Sequence, residues 1–457
     1  MIKKINILYL LLFPIFLNQI SNFANKEQAF AINSNSLITF LSSVALTLFL
    51  YFIGKMIKSA FNFSTVSFSI IFYLYSFFMI DISLLFFIKT FSFSEIFLVV
   101  NVLWIIIVVY KSRRMTPLFM PFLSFGLLNL FNNIYYDKFT KNQNLFGDVE
   151  AVFFPHTKNI YESSYFISMT NPVMSGYPQF TSYIDALLFK ISFTDEIYVY
   201  MKQSSTIFIF LTVLFFFEVN FSKYSKLFSS LIFISLVSNS KWLEFLFSSS
   251  LMSERLVSFT FAVLVYSIFQ KSNANVKYLE FLTFGMMIFT KQFTSTIVLI
   301  LLIILIASLK YRRYVLVGLI PSILKELGFV TYFSKLEKDH HIRQIDVQDT
   351  VFDLLLLRDL DFTNIYKIIQ NLIIDKPLTY LVVLLLTLLL LNIRNGYYKE
   401  IDLQIYLLSI ILNVTLISLL YISAWRNMEL ESPIRYILNM LHLKILVIFL
   451  LIDRMKN

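Results

Sequence analysis

The chain has 457 residues, 58% of them hydrophobic and 14% charged, with a mean hydropathy of +0.74, which excludes a soluble globular domain and fits an integral membrane protein. Cysteine is absent, so disulfides, thiolate nucleophiles and Cys-ligated zinc are excluded, and only four histidines are present, too few to favour His-based metal clusters. The formal net charge of +10 is read as Lys and Arg gathered in cytoplasmic turns, with no nucleic-acid partner.

A span needs roughly 20 apolar residues. Runs approaching that length begin near residues 5, 37, 64, 95, 117, 206, 227, 255, 279, 294, 314, 378, 402 and 436. They predict an all-α, polytopic integral membrane protein with about 12–14 transmembrane helices. Residues 6–17 serve either as a first span or as a signal peptide cleaved near Ala29-Phe30-Ala31. In both cases residues 21–36 lie outside. With the N-terminus in the cytoplasm, the inner segments carry Lys3/Lys4, Lys55/Lys58, Lys111/Arg113/Arg114, Lys223/Lys226, Lys271/Lys277, Lys310/Arg312/Arg313, Arg394/Lys399 and Arg454/Lys456. The short outer turns are poorer in basic residues. This alternation places both termini in the cytoplasm of a plasma (inner) membrane protein. The loops 136–203 and 334–376 and the turns 239–255 and 424–435 then share the outer face. No Gly-rich phosphate loop serves an inner nucleotide site.

Loop 136–203 carries Gly147-Asp148-Val149-Glu150, Pro155-His156-Thr157-Lys158 and Gly176-Tyr177-Pro178. Asp148 and Glu150 are two residues apart, which points them to different faces of a helix or strand. One carboxylate acts as a base and the other as a structural or substrate-binding group. From Val149 to Ser163 the pattern is amphipathic, with Val152, Phe153 and Ile160 set against His156, Lys158, Asn159 and Glu162. It predicts a helix lying on the membrane surface, and a second runs from Gln179 to Lys190 behind Pro178. The plainer alternative is a loop with solvated charges. Asp81 lies in or near a span, where an acid is costly and often functional, or else it sits at the outer interface.

The segments GDVEAVFFPHTKNIYE and GYPQFTSYIDALL resemble the first outer loop of the GT-C glycosyltransferases, multi-span enzymes that take a sugar from a polyprenyl-phosphate carrier. Many members place an acid just past a span, an amphipathic helix ending near an "AK.IY" pattern, and a "YP" pair opening the next helix. Phe289-Thr290-Lys291-Gln292 resembles their "TK" turn, and Arg435-Tyr436 after Glu429 and Glu431 resembles their late "RY" pair. The resemblance covers roughly 117–452. The chain departs from some bacterial members in having Gly147 where they have Trp, and several spans precede the acidic loop. The resemblance implies extra N-terminal helices in 1–115 and a catalytic module in 116–457.

It further implies Asp148 as the base, with Glu150 as the second carboxylate. His156, Lys158, Tyr177, Glu254, Lys291, Arg426, Arg435 and Tyr436 become substrate-binding residues. Glu254 either assists the base or holds a metal, or pairs with Arg255 as an interfacial anchor. Lys291 meets a carrier phosphate as a point charge or snorkels at the interface. Arg435 suits bidentate contact to a lipid phosphate. No cofactor and no metal ligand are assigned, and a divalent metal stays open. The expected partners are a polyprenyl-phosphate-linked sugar, the bilayer, and a glycan, lipid or protein acceptor. Two other readings stand beside this one. A polysaccharide polymerase or O-antigen-ligase-like protein would centre on loop 334–376, with His340, His341 and Arg343. A flippase or transporter would ordinarily have internal repeats and Gly- or Pro-broken spans.

Overall fold

The computed structural model describes residues 34–85, 92–112, 118–136, 154–163, 179–192, 197–219, 253–290, 292–328, 400–422 and 440–455, with isolated positions 366 and 370. The described residues are all-α. Three of their helices hold stretches long and apolar enough to cross a membrane: Val44–Phe61, Phe93–Lys111 and Ile401–Leu419. Val66–Ile82, Phe119–Leu128, Leu256–Phe269 and Thr294–Ile306 form shorter apolar helices. Twelve to fourteen full spans are thus not reached among the described residues. The expected runs near 5, 227 and 378 lie outside them.

The chain divides into two compact units. The first comprises 1–218 with two short pieces, 247–252 and 271–276. Its described helices are α1 (Ser34–Phe61), α2 (Val66–Leu85), α3 (Phe93–Ser112), α4 (Phe119–Tyr136), α5 (Phe154–Glu162), α6 (Gln179–Ser192) and α7 (Ile197–Glu218). The turn from α1 to α2 accounts for its own backbone groups. Asn62 stops α1 in the left-handed region, at φ 58, which Asn tolerates better than most residues. The Phe63 N–H returns to the Lys58 carbonyl at 3.2 Å, closing the helix end. Thr65 then caps α2, its hydroxyl accepting from the Phe68 N–H at 3.0 Å. The first two N–H groups of α2, on Val66 and Ser67, donate to the carboxylate of Glu218 from the far end of α7, at 2.5 and 2.8 Å. Lys58 stands 3.8 Å from the same carboxylate.

A capping box opens α3. The Ser92 N–H donates to Glu95 Oε2 at 2.7 Å, and the Glu95 N–H donates to Ser92 Oγ at 3.3 Å. Between α2 and α3, the Tyr73 hydroxyl donates to Asn101 Oδ1 and the Trp104 indole N–H donates to Ser76 Oγ, each at 2.9 Å. Both bonds lie in an aromatic core that includes Phe61, Phe72 and Trp104. Lys111 lies over the Phe61 ring at 5.7 Å. Lys58 and Lys111, which the charge count assigns to one side, therefore occur at one end of this unit.

The second unit holds 219–246, 253–270 and 277–457. It contains α8 (Ser253–Phe269), most of α9 (Ala274–Gly285), a 3-10 turn (Met286–Phe289), α10 (Gln292–Ile306), α11 (Arg312–Gly318), α12 (Ile320–Gly328), α13 (Ile401–Ile422) and α14 (Leu441–Met455). The single span expected near 314 is instead two short helices. Pro321 has no N–H to give and its ring crowds the preceding turn, so the α-helical ladder breaks at Leu319. Close backbone approach sets α9 against α11: a Cβ on Gly285 would stand 2.0 Å from the Gly318 carbonyl oxygen. Phe269 packs edge-on against both Tyr311 and Tyr406, gathering the ends of α8, α11 and α13.

Lys277, counted with Lys271 among the basic residues of one inner segment, has protein partners. It is buried, lies 2.6 Å from Glu280, and donates to the last carbonyls of α8, Ser267 O at 3.2 Å and Ile268 O at 3.0 Å. Those carbonyls have no intrahelical partner, so a cation there satisfies the helix end.

Candidate functional site

Within loop 136–203 the structure describes α5 and α6. Helix α5 coincides with the motif FPHTKNIYE. Its apolar side differs from the expected one. His156, Thr157 and Ile160 are buried, whereas Lys158 and Glu162 are exposed. The reason is helical spacing: His156 lies one turn before Ile160 and shares its inward face. His156 and Lys158, two residues apart, therefore face opposite sides and are not brought together. Burial pushes the imidazole of His156 down to about 4. It is neutral at physiological pH, suited to hydrogen bonding and unsuited to offsetting a phosphate charge. Lys158 pairs with Glu162 at 3.5 Å across one turn, both side chains more than half exposed. An ion pair of that kind is weak, and the ammonium is readily released to an anionic ligand.

Helix α6 corrects a second expectation. It spans Gln179–Ser192, two residues past the expected end at Lys190, but every residue from Phe180 to Phe189 is buried. It is an enclosed helix, with no polar face laid open at a membrane surface. Thr181 and Ser182, two of its buried polar residues, are small, which keeps the cost of enclosure low. Tyr183 packs edge-on against Phe78 at 5.0 Å and Phe93 at 5.3 Å. Asp81, in α2, is buried. Lys190 lies 4.8 Å over the Tyr161 ring, and Phe189 meets the same ring, so α6 and α5 meet near their C-terminal ends. The Phe93 N–H donates to the Ser163 carbonyl at 2.9 Å, joining the end of α5 to the start of α3.

Of the other candidate residues, Glu254 falls in the first turn of α8. One turn on, Ser258 Oγ lies 2.7 Å from His442 Nδ1 of α14, both residues fully buried. That bond joins α8 to the helix that follows the Arg435-Tyr436 segment in sequence. Asp148, Glu150, Tyr177, Lys291, Arg426, Arg435 and Tyr436 lie outside the described residues, as does the loop 334–376 apart from two isolated positions. Among the described residues no group of three or more His, Asp or Glu side chains could hold a metal ion.

Tyr183, Glu218, Ser258 and His442 carry no motif that marks them in the sequence. The Ser92/Glu95 box was legible as S-x-x-E. The rest are long-range partners with no local signal. The class these observations define is an all-α protein with helices long and apolar enough to cross a membrane. No family model, curated protein or solved structure matches the chain.

Proposed function

We propose that the chain is a polytopic, GT-C-like membrane glycosyltransferase that moves a sugar from a polyprenyl-phosphate carrier to an acceptor on the extracytoplasmic face, with both termini in the cytoplasm. The observation that carries this reading is the ordered set of motifs from Asp148 to Tyr436 on alternating apolar runs. Helices α5 and α6 support it: the two motif segments of the first large loop are helices packed on each other.

The reaction is a single displacement with inversion. An acceptor hydroxyl oxygen attacks the anomeric carbon, a new C–O bond forms, and the bond from that carbon to the phosphate oxygen breaks. Asp148 takes the hydroxyl proton. The carrier phosphate leaves with the bonding electron pair, and Arg435 and Lys291 stabilise its charge. A phosphate neutralised in this way is a good leaving group and needs no separate acid. Glu150, Tyr177, Glu254, Arg426 and Tyr436 bind substrate around this centre, and Lys158 provides a further cation near the membrane surface.

Purified protein with a radiolabelled polyprenyl-phosphate sugar and a panel of acceptors tests the proposal. Asp148→Asn is expected to lower transfer by at least about 100-fold, the scale of a lost general base. Full activity in that variant removes Asp148 as the base. Loss of function on changing His340, His341 or Arg343, with Asp148→Asn silent, moves the chemistry to the loop 334–376 and favours the ligase reading.

A further inference from the structure

We propose that one face of α3 is a lipid-facing wall, its stripe of Leu98, Val99, Val102, Leu103 and Ile106 seated against the acyl chains of the bilayer. Leu98, Val102 and Ile106 are 65%, 45% and 57% exposed, and Val99 and Leu103 flank them at 41% and 42%. Positions 98, 102 and 106 recur every fourth residue and form one ridge on the helix. The opposite face is closed: Val100, Trp104 and Val108 are buried. The Tyr73–Asn101 and Trp104–Ser76 hydrogen bonds fix the rotation of α3, so the bare stripe is held outward.

Three features select lipid as the occupant. Between Glu95 and Tyr110 every exposed residue is aliphatic, so water is disfavoured on this face. The exposed charges of Glu95 and Lys111 bracket the stripe, and at about 1.5 Å per residue their separation is about 24 Å along the axis. That length fits within a hydrocarbon core of roughly 30 Å when the lysine reaches outward to the headgroups. Tyr110, 80% exposed beside Lys111, suits the interfacial layer. The stripe also lacks Gly, Ala, Ser and Thr. Helix pairs in membranes associate through small or hydrogen-bonding side chains, so branched aliphatics alone favour lipid tails over a second helix. The inference rests on the membrane reading and is independent of glycosyl transfer.

The natural absence of cysteine makes the test clean. Single cysteines are placed at 98, 102 and 106, at 100 and 108, and at 94 and 111, and each carries a nitroxide label. The full chain is reconstituted in phosphatidylethanolamine/phosphatidylglycerol vesicles. Collision rates are measured with molecular oxygen, which concentrates in lipid, and with a water-soluble nickel chelate. Labels at 98, 102 and 106 are expected to meet oxygen several-fold more often than those at 100 and 108, and the nickel chelate far less often than those at 94 and 111. If the buried labels at 100 and 108 prevent folding, the contrast of the stripe with 94 and 111 decides the matter. Frequent nickel collisions along the stripe would mean that it faces water. Oxygen rates as low there as at buried sites would mean that protein covers it, a second copy included. Either result overturns the proposal, whatever the transfer assay reports.

Discussion

Gly285→Ala probes the packing of the second unit through a single methyl group. The backbone at Gly285 is right-handed helical (φ −59, ψ −31), so alanine meets no conformational strain. The obstacle is steric. The added Cβ would stand 2.0 Å from the Gly318 carbonyl oxygen, where ordinary contact begins at 3.4 Å, so the two backbones must separate by the 1.4 Å difference (3.4 − 2.0). No rotamer change relieves this, because the obstructing atom belongs to the main chain. Overpacking a well-packed core costs about 1–3 kcal/mol, and a main-chain obstacle puts this substitution near the upper end. The internal control is Gly126→Ala in α4, where an added Cβ has nothing within 4 Å. That change is expected to stabilise by about 0.5–1 kcal/mol through the better helix propensity of alanine. The assay is thermal unfolding in one detergent, followed by far-ultraviolet circular dichroism. The midpoint is expected to fall for Gly285→Ala and to hold or rise for Gly126→Ala. A Gly285→Ala protein that melts at or above the parent temperature refutes the close approach of α9 and α11.

His156 makes stability depend on pH. Its pKa falls from an ordinary 6.5 to about 4 in the fold, because burial disfavours the charged ring. The fold therefore keeps its full stability above pH 6.5 and loses it as pH drops from there through about 4. The loss approaches about 3 kcal/mol at about 1.4 kcal/mol per pKa unit. Unfolding midpoints compared at pH 7 and pH 4.5 should show this fall, and His156→Gln should reduce it; an unchanged pH dependence in that variant would place the acid sensitivity elsewhere. Glu218→Ala strips the acceptor from the first two N–H groups of α2 and is expected to cost about 2–3 kcal/mol. Glu218→Gln retains an acceptor oxygen and should cost less, and amide hydrogen exchange at Val66 and Ser67 reads the difference directly.

Several helices are legible because their signals are local. The apolar runs near 37, 64, 95, 117 and 402 place α1 to α4 and α13, since long aliphatic and aromatic stretches have few ways other than helix to satisfy their backbone away from water. The FPHTKNIYE helix and the helix behind Tyr177-Pro178 are legible as helices, though not the sides they bury. The break at Pro321 also had a local cause, though apolar content alone reads through it.

Composition and the spacing of apolar runs thus determine by themselves an all-α chain with helices suited to a membrane, and the S-x-x-E capping box of α3. Tertiary structure buries His156 and Thr157 together with Ile160, which polarity alone would set on the solvated side of α5. It encloses α6 on all sides, where a sequence pattern could predict a surface helix but not its neighbours. It turns Lys277 from a turn charge into a partner for Glu280 and the end of α8, joins Glu218 to a helix start 152 residues away, and pairs Ser258 with His442 across 184 residues. The physical reason is common to all of these. A helix depends on neighbours within four residues, whereas the partner of a buried polar group is set by which helices meet.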